Sequence, residues 1–463
     1  MKTLPLILTR GYHDNMTVTD AENKTNLWRA PVASAALDAT VTIPGSKSLS
    51  NRYLILAAMG SKPVTLIGLL RSRDTELMMG ALQALGVRCE VDPAVDTTVT
   101  VIPPADGVFT GNSSVFCGLA GTVMRFVPGL ALYANGPVRF DGDEQAYQRP
   151  MGPVLDGLEQ LGAHIEYEGK RGHLPFTLTP PQSVVGGQVS IDSSGSSQFI
   201  SGLLLAAPKL DDGLVLTHTG QHLPSLPHIR MTMSDLESAG VSVQMSGRTW
   251  TVEHGDVQLP SKVVVEPDLS NAAPFLGAAL IAGGVVRVPN WPASTTQPGG
   301  LLPGYLARMG AEVTVSEEDG IRTLIVRSDR TIHGLGEFDL SAAGEIAPSL
   351  AAILVFADAP TELVGIGHLR GHETNRLEAL VKEIRRVGGD AEELQDGLRI
   401  SPVAPESLHG AVMETYADHR MATFAAMLGL RLNGIDVVNV ETTRKTIPDF
   451  TGLWNGMLSD NTR

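Results

Sequence analysis

One pattern of apolar and polar positions recurs along the chain: a helix rich in small apolar residues, a Gly- or Pro-containing turn, then a short β-branched strand. Its six copies are NRYLILAAMGSKPVTLIG, TVMRFVPGLALYANGPVRFDG, SQFISGLLLAAPKLDDGLVLTHTG, NAAPFLGAALIAGGVVRVPN, APSLAAILVFADAPTELVGI and RMATFAAMLGLRLNGIDVVNV. The strands align at Leu66, Phe140, Leu216, Val288, Leu363 and Val438, at successive spacings of 74, 76, 72, 75 and 75 residues. A period this regular predicts six copies of one supersecondary unit. In the first five copies a second, amphipathic helix follows and ends on glycine, in ALQALGV, GLEQLGA, DLESAGV, YLARMGA and EIRRVGG. Glycine tolerates the left-handed C-cap because it has no Cβ to clash there. Strand-like text follows each of these ends, so a unit reads helix, strand, helix, strand, strand.

With 463 residues, 43% of them apolar, the chain exceeds one ordinary core and suits two domains. The expected fold is α/β (α+β): two domains of three βαβαββ-type units, helices packed inside, and an active site in the cleft between domains. Residues 46–266 are expected to hold units one to three, and residues 31–45 plus 267–463 units four to six. The chain crosses near Gly45-Ser46 and Glu266-Pro267, and residues 1–30 read as a loose leader.

The polar residues that break the pattern fall at one place in every unit, the start of its first helix. They are Ser46-Lys47-Ser48, Gly121-Thr122, Ser196-Ser197-Gln198, Asp268 to Asn271, Gly344-Glu345 and Asp418-His419-Arg420. Helix N-termini carry unpaired N–H groups and a partial positive charge, so six of them around one cleft would suit two anionic ligands. Lys47 sharpens the argument. A cation at a positive helix end is favourable mainly when an anion lies between them. PGSKSLSNR is not a nucleotide-binding P-loop, because Ser46 and Val41 stand where that motif needs glycine.

A net charge of -15 argues against a nucleic-acid partner. It leaves room for small anions where basic residues gather. Cys89 and Cys117 supply neither a disulfide framework nor a metal set, which points to a reducing, cytoplasmic setting. No run of about 18 to 20 apolar residues is present to span a membrane, and the N-terminus lacks signal or transit character. His368, His372 and Glu373 have some of the residue types of a zinc site but neither HExxH order nor a clear third ligand, so no metal is expected.

PGSKS, AGTVMR, QRP, SSQF, GHETNRL, DHRMA and RKTIPDF occur in an order that resembles the 5-enolpyruvylshikimate-3-phosphate synthase family of enolpyruvyl transferases, over about residues 35 to 455. The resemblance implies transfer of the enolpyruvyl group of phosphoenolpyruvate to the 5-hydroxyl of shikimate 3-phosphate by a monomer with no cofactor. It implies that Lys47, Ser48, Arg52, Ser196, Ser197, Gln198, Ser225, Glu345 and His372 hold shikimate 3-phosphate, with Ser196, Ser197 and Ser225 on its phosphate. Lys47, Gly121, Arg149, Gln198, Arg376, Arg420 and Lys445 match the positions around phosphoenolpyruvate. Arginine forks suit carboxylate and phosphate, and Gly121 lets backbone approach closely.

Glu345 is the candidate base and Glu373 the candidate acid, with Lys47 assisting proton transfer. The chain departs from the family at Glu345, which replaces an Asp, and at His368, His372 and Asn375, where many members have Asn, Lys and Asp. Three other readings stand beside this one. A UDP-N-acetylglucosamine enolpyruvyl transferase would usually carry Asn after the motif lysine, where this chain has Ser48. A catalytically silent anion-binding homologue, or a repeat scaffold, would keep the architecture without the reaction.

Overall fold

The structure, a computed structural model, describes residues 26–459 except Pro224 and His372. The expected unit is clearest in its second copy. Strand Ser113–Phe116 runs parallel to Val138–Asp141, which pairs antiparallel with Phe176–Thr179, and this in turn with His164–Tyr167. The third and fifth copies repeat that order around Leu214–His218 and Thr361–Val364.

The first and fourth units complete their sheets with distant strands. Val64–Ile67 takes its parallel partner from Lys262–Val264, and Gly284–Pro289 takes Leu37–Thr40. These exchanges carry the chain from one half to the other and back. The two crossings touch: the Ser46 N–H donates to the Glu266 carbonyl at 2.8 Å, and the Asp268 N–H to the Pro44 carbonyl at 2.9 Å. A Cβ on Gly45 would lie 2.0 Å from the Gly68 carbonyl oxygen, so only glycine fits at the first crossing.

The sixth unit differs. Val412–Met413 pairs parallel with Asp436–Val438 and helix Phe450–Ser459 follows, but among the described residues no hairpin comes after it. Leu27–Arg29 pairs antiparallel along the other edge of Asp436–Val438 instead. This corrects the leader boundary at residue 30: Trp28 packs edge-on against Phe450 and Ala30 is buried. An open strand edge and adjacent apolar residues explain the docking. The rest of that segment, residues 1–25, lies outside the described residues.

The first helix of each unit is internal. Every residue of Gly121–Leu130, Leu269–Ala282 and Ala347–Leu354 is buried, as expected of helices apolar on all sides. The buried apolar residues form two clusters. One runs from Leu49 to Val265, the other from Ala30 to Ile43 and Leu269 to Met457, and we refer to them as the first and second lobes. The outer helices end as the sequence predicts: Gly86, Gly162, Gly240, Gly310 and Gly388 all have φ between +81° and +105°. At Gly86 the Val87 N–H reaches back to the Leu82 carbonyl at 3.0 Å, closing the last turn.

Candidate active site

The internal helices point their N-termini at one cavity of about 310 Å³ between the lobes, where residues from all six helix starts line the wall. From the first lobe come Lys47, Ser48, Arg52, Gly121, Arg149, Ser196, Ser197, Gln198 and Ser225. The second contributes Glu345, Glu373, Arg376, Arg420 and Lys445. Every candidate site residue named from the sequence therefore lines this cavity except His372, which lies outside the described residues. The wall carries six Lys or Arg residues against four carboxylates in a chain of net charge -15. Cations have been gathered here against the overall balance.

Local structure explains how each group is held. Ser46 caps helix Lys47–Met59 and leaves Lys47 in its first turn, with Nζ 3.4 Å from Asp74 Oδ2. Burial pushes the Lys47 ammonium pKa down, and Lys445 adds to the effect. Arg52 is 2% exposed and committed to protein, donating to Thr232 Oγ1 at 2.8 Å, the Ser48 carbonyl at 2.9 Å and the His228 carbonyl at 3.0 Å. Burial lowers its pKa to about 10.

Gly121 sits under a crowded corner. A Cβ there would lie 2.8 Å from Arg125 Nη1, 2.9 Å from Arg149 Nη2 and 3.1 Å from Gln198 Oε1. Arg125 donates to Gln198 Oε1 at 2.8 Å and fixes that amide, while Arg149 donates to the Leu119 carbonyl at 2.6 Å.

In the second lobe, Asp418 caps helix His419–Gly429 by accepting from the Arg420 N–H at 2.8 Å. Its carboxylate also receives Arg376 Nε at 2.7 Å, both side chains being almost wholly buried. Arg376 Nη2 donates to Glu373 Oε2 at 2.9 Å, and Lys445 Nζ to Glu373 Oε1 at 2.6 Å. Burial pushes the Glu373 carboxyl up, but Lys445 and Arg376 outweigh it and hold the group well below the usual carboxylate range. Arg420 Nη2 donates to Glu345 Oε2 at 2.9 Å. Across the cleft, His228 Nε2 lies 3.7 Å from Glu345 Oε1, and its Nδ1 meets Ser225 Oγ. Burial keeps the His228 pKa low.

Two sequence departures gain a physical reading. Asn375 caps helix Arg376–Arg386 with its side-chain oxygen, a role that Asp and Asn fill about equally. His368 packs on Gly344, beside Glu345: a Cβ on Gly344 would lie 2.9 Å from its ring Cε1. Among the described residues no group of three or more His, Cys, Asp or Glu could hold a metal ion. Sequence reasoning missed Asp74, His228 and Arg125. Asp74 lies at the start of an outer helix and His228 in the first turn of Leu226–Ser238, positions without the repeated polar signal. Arg125 fell inside a quoted motif but its role in holding Gln198 did not show.

Six internal helix starts and a cationic cleft shared by two lobes define a two-lobed α/β enzyme that works on small anions. The comparisons specify which. A sequence profile of the EPSP synthase (3-phosphoshikimate 1-carboxyvinyltransferase) family matches residues 32–454, and the chain belongs to that family. A 3-phosphoshikimate 1-carboxyvinyltransferase of Bifidobacterium longum is 74% identical over 441 residues, covering 94% of this chain and 99% of the relative. One from Kocuria rhizophila is 49% identical, covering 93% and 96%. The solved EPSP synthase of Acinetobacter baumannii superposes with a TM-score of 0.79 at 26% identity, over 92% of this chain and 97% of the other. The enolpyruvyl transferase NikO of Streptomyces tendae, at 18% identity and TM-score 0.69, shares the fold, with 92% and 96% covered.

Proposed function

We infer that this chain is a 3-phosphoshikimate 1-carboxyvinyltransferase, moving the enolpyruvyl group of phosphoenolpyruvate onto the 5-hydroxyl of shikimate 3-phosphate and releasing phosphate. Membership of the family and 74% identity to a curated enzyme of that activity support it. The structural observation that carries it is the single cavity where six helix starts and six cations from both lobes converge. A UDP-sugar acceptor is not favoured by the Bifidobacterium longum and Kocuria rhizophila relatives.

In this reading Ser196, Ser197 and Ser225, with Lys47, Ser48, Gln198 and Arg52 around them, seat shikimate 3-phosphate. Arg149, Arg376, Arg420 and Lys445, with Gly121 leaving backbone open, seat phosphoenolpyruvate. Glu345 takes the proton of the 5-hydroxyl as its oxygen bonds to C2 of phosphoenolpyruvate, and the methylene carbon gains a proton, giving a tetrahedral adduct. Loss of a methyl proton with cleavage of the C–O bond to phosphate restores the double bond. The Arg420 contact aims Glu345 into the cavity. Glu373 is held as an anion by Lys445 and Arg376, so it serves as an acid only once an arriving phosphate draws those cations away. Lys47, with its pKa pushed down by burial, is the more available proton donor.

The lobes correspond to domains of residues 46–266 and of 27–45 plus 267–463, acting as a monomer in the cytoplasm. No helix among the described residues is long and apolar enough to cross a membrane. The test is phosphate release with phosphoenolpyruvate and either shikimate 3-phosphate or UDP-N-acetylglucosamine. Release with the first acceptor alone supports this reading, and release with the second or with neither overturns it.

A further inference from the structure

The three serines assigned to the substrate phosphate come from two separate loops, Ser196 and Ser197 from one and Ser225 from the other. Both loops meet at His218, the last residue of strand Leu214–His218, which lies outside the cavity and is 2% exposed. Its Nδ1 receives the Ser193 N–H at 3.2 Å and the Ser193 hydroxyl at 3.0 Å. A nitrogen that accepts from a backbone N–H carries no proton, so the proton sits on Nε2. That nitrogen lies 3.0 Å from the His222 carbonyl and donates to it. One neutral imidazole therefore ties the two loops together.

Both tethers lead to the assigned serines. The fully buried Ser193 accepts the Ser196 N–H on its carbonyl at 3.0 Å, and Ser196 Oγ in turn accepts the Gln198 N–H at 3.2 Å. His222 stands three residues before Ser225, whose left-handed backbone (φ 51°) starts helix Leu226–Ser238. Arg248 holds the second loop from the same side, donating to the carbonyls of Gly220 at 2.5 Å and Gln221 at 2.9 Å. Gly220 makes the approach possible. A Cβ there would lie 2.1 Å from Asp192 Oδ1, 2.1 Å from Ser194 Oγ and 2.7 Å from His218 Cε1.

We propose that His218 is a positioning residue for the phosphate seat of shikimate 3-phosphate, clasping the loops of Ser196-Ser197 and Ser225 at the spacing one phosphate requires. The proposal rests on the functional reading above. It touches one substrate only, because the residues assigned to phosphoenolpyruvate, Gln198 apart, stand on other elements.

Steady-state kinetics of the full chain with each substrate varied in turn tests it, using His218→Leu, His218→Asn and His218→Gln. Loss of hydrogen bonds of ordinary worth predicts that His218→Leu raises KM for shikimate 3-phosphate by roughly 5- to 20-fold, with KM for phosphoenolpyruvate and kcat moving far less. Asn, whose Oδ1 can take the place of Nδ1 toward Ser193, should recover most of the loss. Gln, which reaches only the His222 side, should recover less. If the Leu variant does not fold, the ranking of Asn above Gln in KM for shikimate 3-phosphate decides. An unchanged KM for that substrate, or an equal change in all three constants, overturns the clasp. Parent enzyme inactive with shikimate 3-phosphate would instead remove the reading on which it rests.

Discussion

His228 of the first lobe holds its Nε2 3.7 Å from Glu345 Oε1 of the second, so the candidate base is set by a contact across the cleft as well as by Arg420 in its own lobe. If Glu345 is the general base, Glu345→Gln keeps the shape and loses the proton acceptor, so kcat should fall by roughly 10² to 10⁴-fold. Shikimate 3-phosphate binding, measured by calorimetry, should survive. Glu345→Asp should keep more activity than Gln and less than the parent, because the carboxylate retreats by one methylene. A Gln variant within about threefold of the parent would return the role to Lys47 or Glu373.

Gly121→Ala tests the crowded corner. The new Cβ would press on the guanidinium groups of Arg125 and Arg149 and on the Gln198 amide. Displacements of this kind are costly in a preorganised site, so kcat/KM for phosphoenolpyruvate should drop by about 10-fold or more while thermal stability changes little. Equal activity would show that the arginines move aside freely.

Arg376 and Asp418 form a buried ion pair at 2.7 Å. Asp418→Asn leaves the guanidinium buried without its full counter-charge, at an expected cost of about 3 to 5 kcal/mol in urea unfolding. It keeps a capping oxygen for the Arg420 N–H, so the loss should come from the charge and not from the cap. A change below about 1 kcal/mol would mean that the other carboxylates near Arg376, Glu373 and Glu345 among them, neutralise it without Asp418.

Glu373 carries a pH signature. Its folded pKa lies below the unfolded carboxylate value, so its stabilising contribution is complete above that value and is lost progressively as pH falls beneath it. Between about pH 5 and pH 3 the parent should therefore lose Tm more steeply than Glu373→Gln. Parallel Tm curves would show that Lys445 and Arg376 do not depress this carboxyl.

Much of the architecture was legible because it is local and repeated. The all-apolar internal helices, the glycine ends at Gly86 and its four counterparts, and the polar helix starts all follow from residues a few positions apart. The fourteen described site residues carried over from the family converge on one cavity for the same reason: five of the six helix starts they mark carry most of them. The strand exchanges were less legible. Lys262–Val264 pairs with Val64–Ile67, and Leu27–Arg29 with Asp436–Val438, through edges that no short window of sequence can reveal.

The sequence by itself determined the six-unit repeat, the helix boundaries and the chemical kind of each group at the site, because propensity, periodicity and capping act over a few residues. Tertiary structure alone decided how those groups are used. It committed the Arg52 guanidinium to Thr232 and two carbonyls, paired Arg376 with Asp418, placed His228 against Glu345, and set His218 between two loops. Each of these depends on which side chains meet after burial, and on the loss of water that makes an unpaired charge or donor costly there.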